Sequence, residues 1–126
     1  MSDESITKAQ FVVNIDNSCA DIYHRYSRFI LEYQLREAQA IAFLTPGFVG
    51  ATPRQIRAFS ERAGITDTAA ATLILQQAAQ LRELLEVVGE TRMRKYEVTR
   101  AATIGDAQIA YVAIMQTIKA IEASLP

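Results

Sequence analysis

Residues 84–98 read LLEVVGETRMRKYEV, and the fold of the chain depends on how this stretch folds. Residues 84–88 form a short apolar run, and residues 94–98 alternate polar and apolar side chains as a half-buried strand does. Residues 89–93 between them begin with a glycine and are mostly polar, which is typical of a turn. The stretch therefore predicts a small β-hairpin.

The same residues also carry a helical pattern. Leu81, Leu84, Leu85 and Val88 recur at spacings of three and four, which fits one face of a continuing helix. In that alternative the chain has no hairpin, and it would be a helical structural or adaptor subunit.

Two short helices are predicted immediately before this stretch. Residues 52–55 read TPRQ, in which the threonine can cap a helix and the proline suits its first position. Gly64 suits the left-handed position that ends this helix, and Ile65 follows as an apolar plug. Thr66 can cap a second helix that runs to about Arg82, with Asp67 in its first turn. A tight turn between two short helices is typical of a helix-turn-helix.

Longer helices are predicted on both sides of this region. Residues 1–9 are expected to be frayed, and residues 10–16 hold an apolar run of uncertain type. Apolar and aromatic residues then recur at helical spacing over about 18–43, and again over roughly 101–124.

Composition excludes several classes of function. The chain has 126 residues, of which 50% are hydrophobic and 21% charged, and its formal net charge is −1. This composition excludes a disordered chain, and it shows no overall basic excess for nucleic acid. Cys19 and His24 are the only residues of their types, so an internal disulfide, a cysteine-based zinc site and a histidine pair are excluded.

No catalytic constellation or cofactor motif emerges from the sequence. Neither a glycine-rich phosphate loop nor a plausible Ser-His-Asp set is present, so we expect no enzyme activity, no metal and no cofactor. Apolar runs are too short for a membrane-spanning helix, and residues 1–5 are unlike a secretory signal. A cytoplasmic location without a membrane partner is the expectation.

Residues 56–101 resemble the winged helix-turn-helix transcriptional regulators, and the layout is most similar to the MarR type. The stretch IRAFSERAGITDT, a following helix, and the stretch EVVGETRMRKYEVTRA carry this resemblance. It implies a mainly α fold with a small β-hairpin, in which long N- and C-terminal helices dimerise. The implied single domain, 1–126, consists of an N-terminal arm (1–17), an N-terminal helix and loop (18–51), a winged core (52–99) and a C-terminal helix (100–126).

The resemblance also implies a DNA-binding site. The second short helix would enter a major groove and the hairpin tip would rest on phosphates. Residues 52–100 carry eight basic and six acidic side chains, so the positive excess lies in this region. The presumed recognition helix, however, begins TDTAAAT and lacks the arginine, lysine or asparagine side chains that usually read bases. The expected DNA contacts are Arg54, Arg57, Thr66, Asp67, Thr68, Thr72, Arg92, Arg94 and Lys95.

The expected function is a DNA-binding transcriptional regulator that acts as a homodimer on double-stranded DNA, and a small-molecule effector is a further candidate partner. The alternative is a winged module that binds protein and has lost DNA readout. The expected dimer interface is Tyr26, Phe29, Tyr33, Tyr111, Ile114, Ile118 and Ile121.

Overall fold

The computed structural model describes residues 3–125, which contain six α-helices and no β-strand. The expectation of a mainly α protein is confirmed, and the predicted hairpin is wrong. The helices are α1 (Asp3–Ser27), α2 (Ile30–Leu44), α3 (Arg54–Ala63), α4 (Asp67–Met93), α5 (Lys95–Arg100) and α6 (Ile104–Ser124).

Residues 84–98 are helical because their burial follows the period of a helix. Val88, Thr91 and Val98 are buried, and Leu84 and Lys95 on the same side are half-buried. These five positions are separated by four, three, four and three residues, which places them on one helical face. The polar–apolar alternation over 94–98 is therefore incidental to the fold.

Without the hairpin there is no wing, and the resemblance to winged-helix regulators of the MarR type is wrong. The second alternative, a winged module that binds protein, loses its scaffold for the same reason. The structure has instead the feature that defines the helical alternative, because α4 continues through Val88 to Met93 and α5 follows at Lys95.

The N-terminal part differs from the prediction as well. One helix was expected over 18–43, but α1 ends at Ser27 and α2 begins at Ile30. Residues 3–9 are helical rather than frayed, while Met1 and Ser2 lie outside the described residues. Residues 10–16 belong to α1 and contribute the buried side chain of Ile15.

Helix α3 ends as predicted but begins with different contacts. Gly64 has φ +69° and ends the helix in the left-handed conformation, with its N–H donating to the Ser60 carbonyl. At the start, the Gln55 N–H donates to Gln39 Oε1 at 2.8 Å. Pro53 occupies the N-cap position without a side-chain cap, and Thr52 Oγ1 donates to Asp67 Oδ2, so the cap expected from Thr52 is not formed.

The chain divides into two compact units, and α4 contributes its first part to one and its last part to the other. The first unit comprises the chain up to Ser27 and from Leu84 onward, where α1, α5 and α6 pack on one another. Its core consists of Ile15, Cys19, Ile22, Val88, Val98, Ala107, Ile114, Ile118 and Ile121.

The second unit, Arg28–Glu83, has a smaller core in which small side chains let helices approach closely. Ala70 and Ala71 of α4 are fully buried there. Phe59 and Ile65 pack against this core, which confirms the apolar plug after Gly64. The buried residues are Ala40, Ile56, Ala70, Ala71 and Ile74.

The Gly89→Ala variant tests whether position 89 lies in a helix or in the turn that the sequence predicted. Glycine inside a helix costs about 0.5–1 kcal/mol relative to alanine. A Cβ at position 89 would meet Tyr23 Oη at 3.5 Å, which is ordinary van der Waals contact. Urea denaturation of Gly89→Ala should therefore show a free energy of unfolding up to about 1 kcal/mol higher than wild type.

Gly64→Ala is the matched control, because a left-handed residue with a side chain costs about 1–2 kcal/mol. It should destabilise the protein while Gly89→Ala stabilises it. Destabilisation by Gly89→Ala comparable to that of Gly64→Ala would contradict a helix at this position.

Candidate interaction surfaces

Two of the three cations assigned to the wing form ion pairs within the first unit. Arg92 Nε donates to Asp16 Oδ1 at 2.9 Å, and Lys95 Nζ donates to the same oxygen at 3.1 Å. The Lys95 side chain is only 13% exposed, so its charge is largely withdrawn from solvent. Asp16 thus joins α1 to the end of α4 and to α5.

The third cation, Arg94, is also engaged. Its Nε donates to Glu97 Oε2 at 2.9 Å, and its Nη1 donates to Thr117 Oγ1 at 3.3 Å. Each of these cations therefore faces a carboxylate of the same unit. They do not gather at the tip of a free edge, which was the basis for expecting phosphate contacts.

Asp16 is ionised more readily than an ordinary aspartate. Partial burial of the carboxylate raises its pKa, but hydrogen bonds from Arg92 and Lys95 outweigh that effect and hold the pKa below the usual value. The Arg92 guanidinium correspondingly has a raised pKa, because its hydrogen bond to Asp16 favours the charged form. The cluster is a structural one in which two cations share a single carboxylate, and the hydrogen bonds to Asp16 favour its charged form.

A second carboxylate organises the start of α4. Asp67 accepts hydrogen bonds from Ser60 Oγ at 2.5 Å, from Thr52 Oγ1 at 2.7 Å and from Arg57 Nη1 at 3.2 Å. The hydrogen bond from Ser60, followed by that from Thr52, lowers the pKa of Asp67. Thr66 Oγ1 accepts from the Ala69 N–H at 3.1 Å, the predicted cap of this helix.

The remaining residues assigned to DNA contact lie on the surface of the second unit. Thr68 is exposed, and Thr72 Oγ1 donates to the Thr68 carbonyl at 2.9 Å. Arg54 is exposed at the start of α3, and Arg57 pairs with Glu61 as well as with Asp67. Contact of these residues with DNA stays a prediction.

The residues expected at a dimer interface divide into two groups. Ile114, Ile118 and Ile121 are in the core of the first unit, where they are at most 8% exposed. Tyr111 stacks on Phe11 with ring centroids 4.2 Å apart, and its hydroxyl accepts from Asn14 Nδ2. These four side chains therefore pack against other residues of the same chain.

The aromatic members of that interface are more accessible. Phe29 is 46% exposed at the break between α1 and α2, and the Arg28 guanidinium lies 5.4 Å from the centre of its ring. Tyr26 and Tyr33 are half-buried. Their role in self-association stays a prediction.

Helix α2 has an uncovered apolar face that the sequence interpretation missed. Leu31 is 78% exposed, Leu35 49% and Ile41 52%. Gln34, Ala38 and Ala42 are exposed beside them, and no residue of this face is charged. The spacing of four residues between Leu31 and Leu35 was the signal for this face in the sequence. The interpretation followed the neighbouring aromatic residues instead.

Helix α6 has an uncovered face of the same kind, on the side away from its buried isoleucines. Ile109 is 71% exposed and Val112 is 46% exposed. A second set of apolar residues, offset from the stripe that forms the core, was the signal for this face. The shallow depression along it is lined by Gly105, Gln108, Ile109, Val112, Ala113 and Gln116.

Cys19, the one cysteine, lies in the core of the first unit. Desolvation by burial raises the pKa of its thiol, so the neutral and unreactive form is favoured. Across residues 3–125, no group of three or more histidine, cysteine, aspartate or glutamate side chains could hold a metal ion. None of the six helices combines the length and apolar character needed to cross a bilayer.

Comparison with known proteins found a phage relative. The chain is 40% identical over 88 residues to an uncharacterised 23.3 kDa protein in the lys 3' region of Haemophilus phage HP1 (strain HP1c1). The match covers 70% of this chain and 44% of the relative, so the chain spans less than half of that protein's length. No protein-family model and no solved structure matches the chain.

The Asp16 cluster predicts how stability depends on pH. A carboxylate whose pKa is lowered by folding adds stability above its unfolded pKa of about 3.9, and this stability is lost as the pH falls through the lower folded value. The Asp16 side chain is one third exposed. Asp16→Asn should therefore cost on the order of 1 kcal/mol at pH 7.

Urea denaturation from pH 7 to pH 2 would show the difference between wild type and Asp16→Asn shrinking below about pH 4. Asp21→Asn, at an exposed position of α1, is the control and should change stability by less than about 0.5 kcal/mol. A difference between wild type and Asp16→Asn that stays constant down to pH 2 would contradict this role.

Proposed function

We propose that the chain is a helical adaptor or structural subunit that acts by binding another protein and not by catalysing a reaction. The observation that carries this proposal is the uncovered, uncharged face of α2. Leu31 and Leu35 project from it with about half or more of their surface in water. Exposed apolar patches of this kind mark sites of interaction with other proteins.

The form of the face favours a helix as its occupant. Leu31, Leu35, Ala38 and Ala42 follow one another at spacings of four, three and four residues, and all are exposed. Such a row runs parallel to the helix axis for about 16 Å at 1.5 Å per residue. A partner helix with a matching row of side chains could pack along it, and the two alanines leave room for its larger side chains.

The charges beside this face determine the chemistry of the partner. Glu32 pairs with Arg36 at 2.7 Å, and Glu37 pairs with Arg82. The acidic residues that flank the face are therefore neutralised within the chain. Because burying an unpaired charge is costly, the proposed occupant is an amphipathic helix of a protein with an uncharged apolar stripe.

The argument for DNA binding depended on free cations at the tip of a hairpin, and the helical fold has no such hairpin. Arg92, Arg94 and Lys95 each pair with a carboxylate. The phage relative carries no activity in its description, so it adds no functional argument. The proposal rests on the α2 face alone, and retention of DNA is an outcome that the test below can register.

Photo-crosslinking from the α2 face tests the proposal. A photoreactive amino acid at position 31 or 35 of the full chain, in lysate of the native host, should form an adduct with one protein species. The same group at Arg62, an exposed and charged position of α3, is the matched control and should not form that adduct.

Affinity measurements with the crosslinked protein complete the test. Full burial of a leucine side chain is worth about 1.5–3 kcal/mol, so Leu31→Gln with Leu35→Gln should weaken binding at least about tenfold. The circular dichroism spectrum of the double variant should remain that of a helical protein. Equal adducts from positions 31 and 62, or binding unchanged by the double variant, would refute the proposal, as would retention on DNA without any protein adduct.

A further inference from the structure

The start of α3 lies beside one flank of the α2 face. Gln39 is four residues after Leu35 and three before Ala42, so its side chain leaves α2 next to both of them. The Gln39 Oε1 atom accepts the Gln55 N–H at 2.8 Å, which holds the first turn of α3 against this flank. Arg54, the residue before Gln55, is therefore within one side chain's reach of a helix that covers Leu35 and Ala42.

Arg54 carries a free charge beside this half of the face. Residues 38–53 contain no charged side chain, and the acidic residues that flank the face are paired within the chain. Arg54 is exposed, and across residues 3–125 it forms no ion pair. Its guanidinium is therefore available to a partner.

We propose that the helix bound by the α2 face carries an acidic side chain beside its apolar stripe, and that this carboxylate pairs with Arg54. The inference rests on the proposed function, because it concerns the same site and the same kind of occupant. Charge complementarity favours a carboxylate, since the planar guanidinium can donate two parallel hydrogen bonds to it. A lysine at that place on the partner would be repelled.

The free charge lies on one flank of the face, so it selects the direction in which the partner helix runs. The opposite flank carries Gln34 and Ile41, which are exposed and uncharged. Reversing the partner along α2 moves its acidic side chain to that uncharged flank. Only one of the two directions therefore places the carboxylate beside Arg54.

Arg54 lies at the rim of the contact, while Leu31 and Leu35 form its apolar centre. A charge at the rim of an interface acts mainly on the rate of association and on its dependence on salt. Loss of apolar contact at the centre acts mainly on the rate of dissociation. The two kinds of residue should therefore be separable by kinetics.

Association kinetics with the protein crosslinked from position 31 or 35 test the inference. In about 0.1 M salt, Arg54→Glu should slow association at least about fivefold, while Arg54→Lys should keep most of the wild-type rate. The difference between wild type and Arg54→Glu should shrink in about 1 M salt, where the screening length falls to about 3 Å. The Leu31→Gln, Leu35→Gln double variant should instead speed dissociation.

Arg62→Glu is the matched control for charge. Arg62 is a second exposed arginine of α3 without an ion pair among the described residues, about 12 Å further along the helix at 1.5 Å per residue. This distance exceeds the screening length of about 10 Å in 0.1 M salt. Arg62→Glu should therefore change the association rate by less than about twofold.

Carbodiimide coupling identifies the paired group directly. Arg54→Lys places an amine at this position, and the reagent condenses an amine with a carboxylate that lies within pairing distance. Mass spectrometry should find position 54 joined to an aspartate or glutamate beside the apolar stripe of the crosslinked protein. Arg62→Lys should give no such product.

The outcomes separate this inference from the proposed function. If no protein is crosslinked, or if its binding is unchanged by the double leucine variant, the proposed function fails and this inference fails with it. If binding depends on the leucines but Arg54→Glu associates at the wild-type rate, or no carboxylate couples at position 54, only this inference is overturned. An effect of Arg54→Glu on retention by DNA alone would also overturn it, because the arginine would then contact nucleic acid.

Discussion

Val88 and Val98 share one buried helical face, and the burial of this face against α1 and α6 determines how the surrounding charges are used. Both valines are fully buried with Ile15 and Ile114 in one apolar cluster. Once this face is inward, Arg92 and Lys95 lie beside Asp16 and pair with it. The same packing that removes the hairpin therefore also removes the free cations on which a DNA-binding role depended.

The sequence could predict those elements whose signals are local. Gly64 and Thr66 mark the end of one helix and the start of the next because a left-handed glycine and a capping hydroxyl act within a few residues. The buried side of α6 was predictable for a similar reason, since Ile114, Ile118 and Ile121 recur at helical spacing. The pattern was assigned to a dimer interface, however, and these residues lie in the core of their own unit.

Residues 84–98 could not be assigned in this way because short apolar runs fit two periods. Leu84 and Val88 suit a strand of five residues or one turn of a helix. Only the packing partners, which come from distant parts of the chain, decide between them. The predicted turn at Gly89 failed for the same reason, because a glycine within a helix is tolerated when the neighbouring positions are well buried.

The exposed apolar faces of α2 and α6 could not be predicted from the sequence, for a different reason. Ile109 and Val112 are as apolar as the core residues of α6, so composition alone does not reveal that they face water. Helix α6 is apolar on two sides, and the fold of its unit covers only one of them. Leu31 and Leu35 leave a face of α2 uncovered in the same way. The uncovered face of α2 is the physical basis for proposing that the chain acts by association.

The central claim is that residues 84–98 form two successive helices packed on α1 and α6, and solution NMR tests it most directly. The account predicts helical Cα chemical shifts and sequential amide–amide contacts from Leu84 to Met93 and from Lys95 to Arg100, with slow amide exchange at Val88. Cross-strand contacts between residues 84–88 and 94–98 would contradict it, and with it the pairing of Arg92 and Lys95 with Asp16.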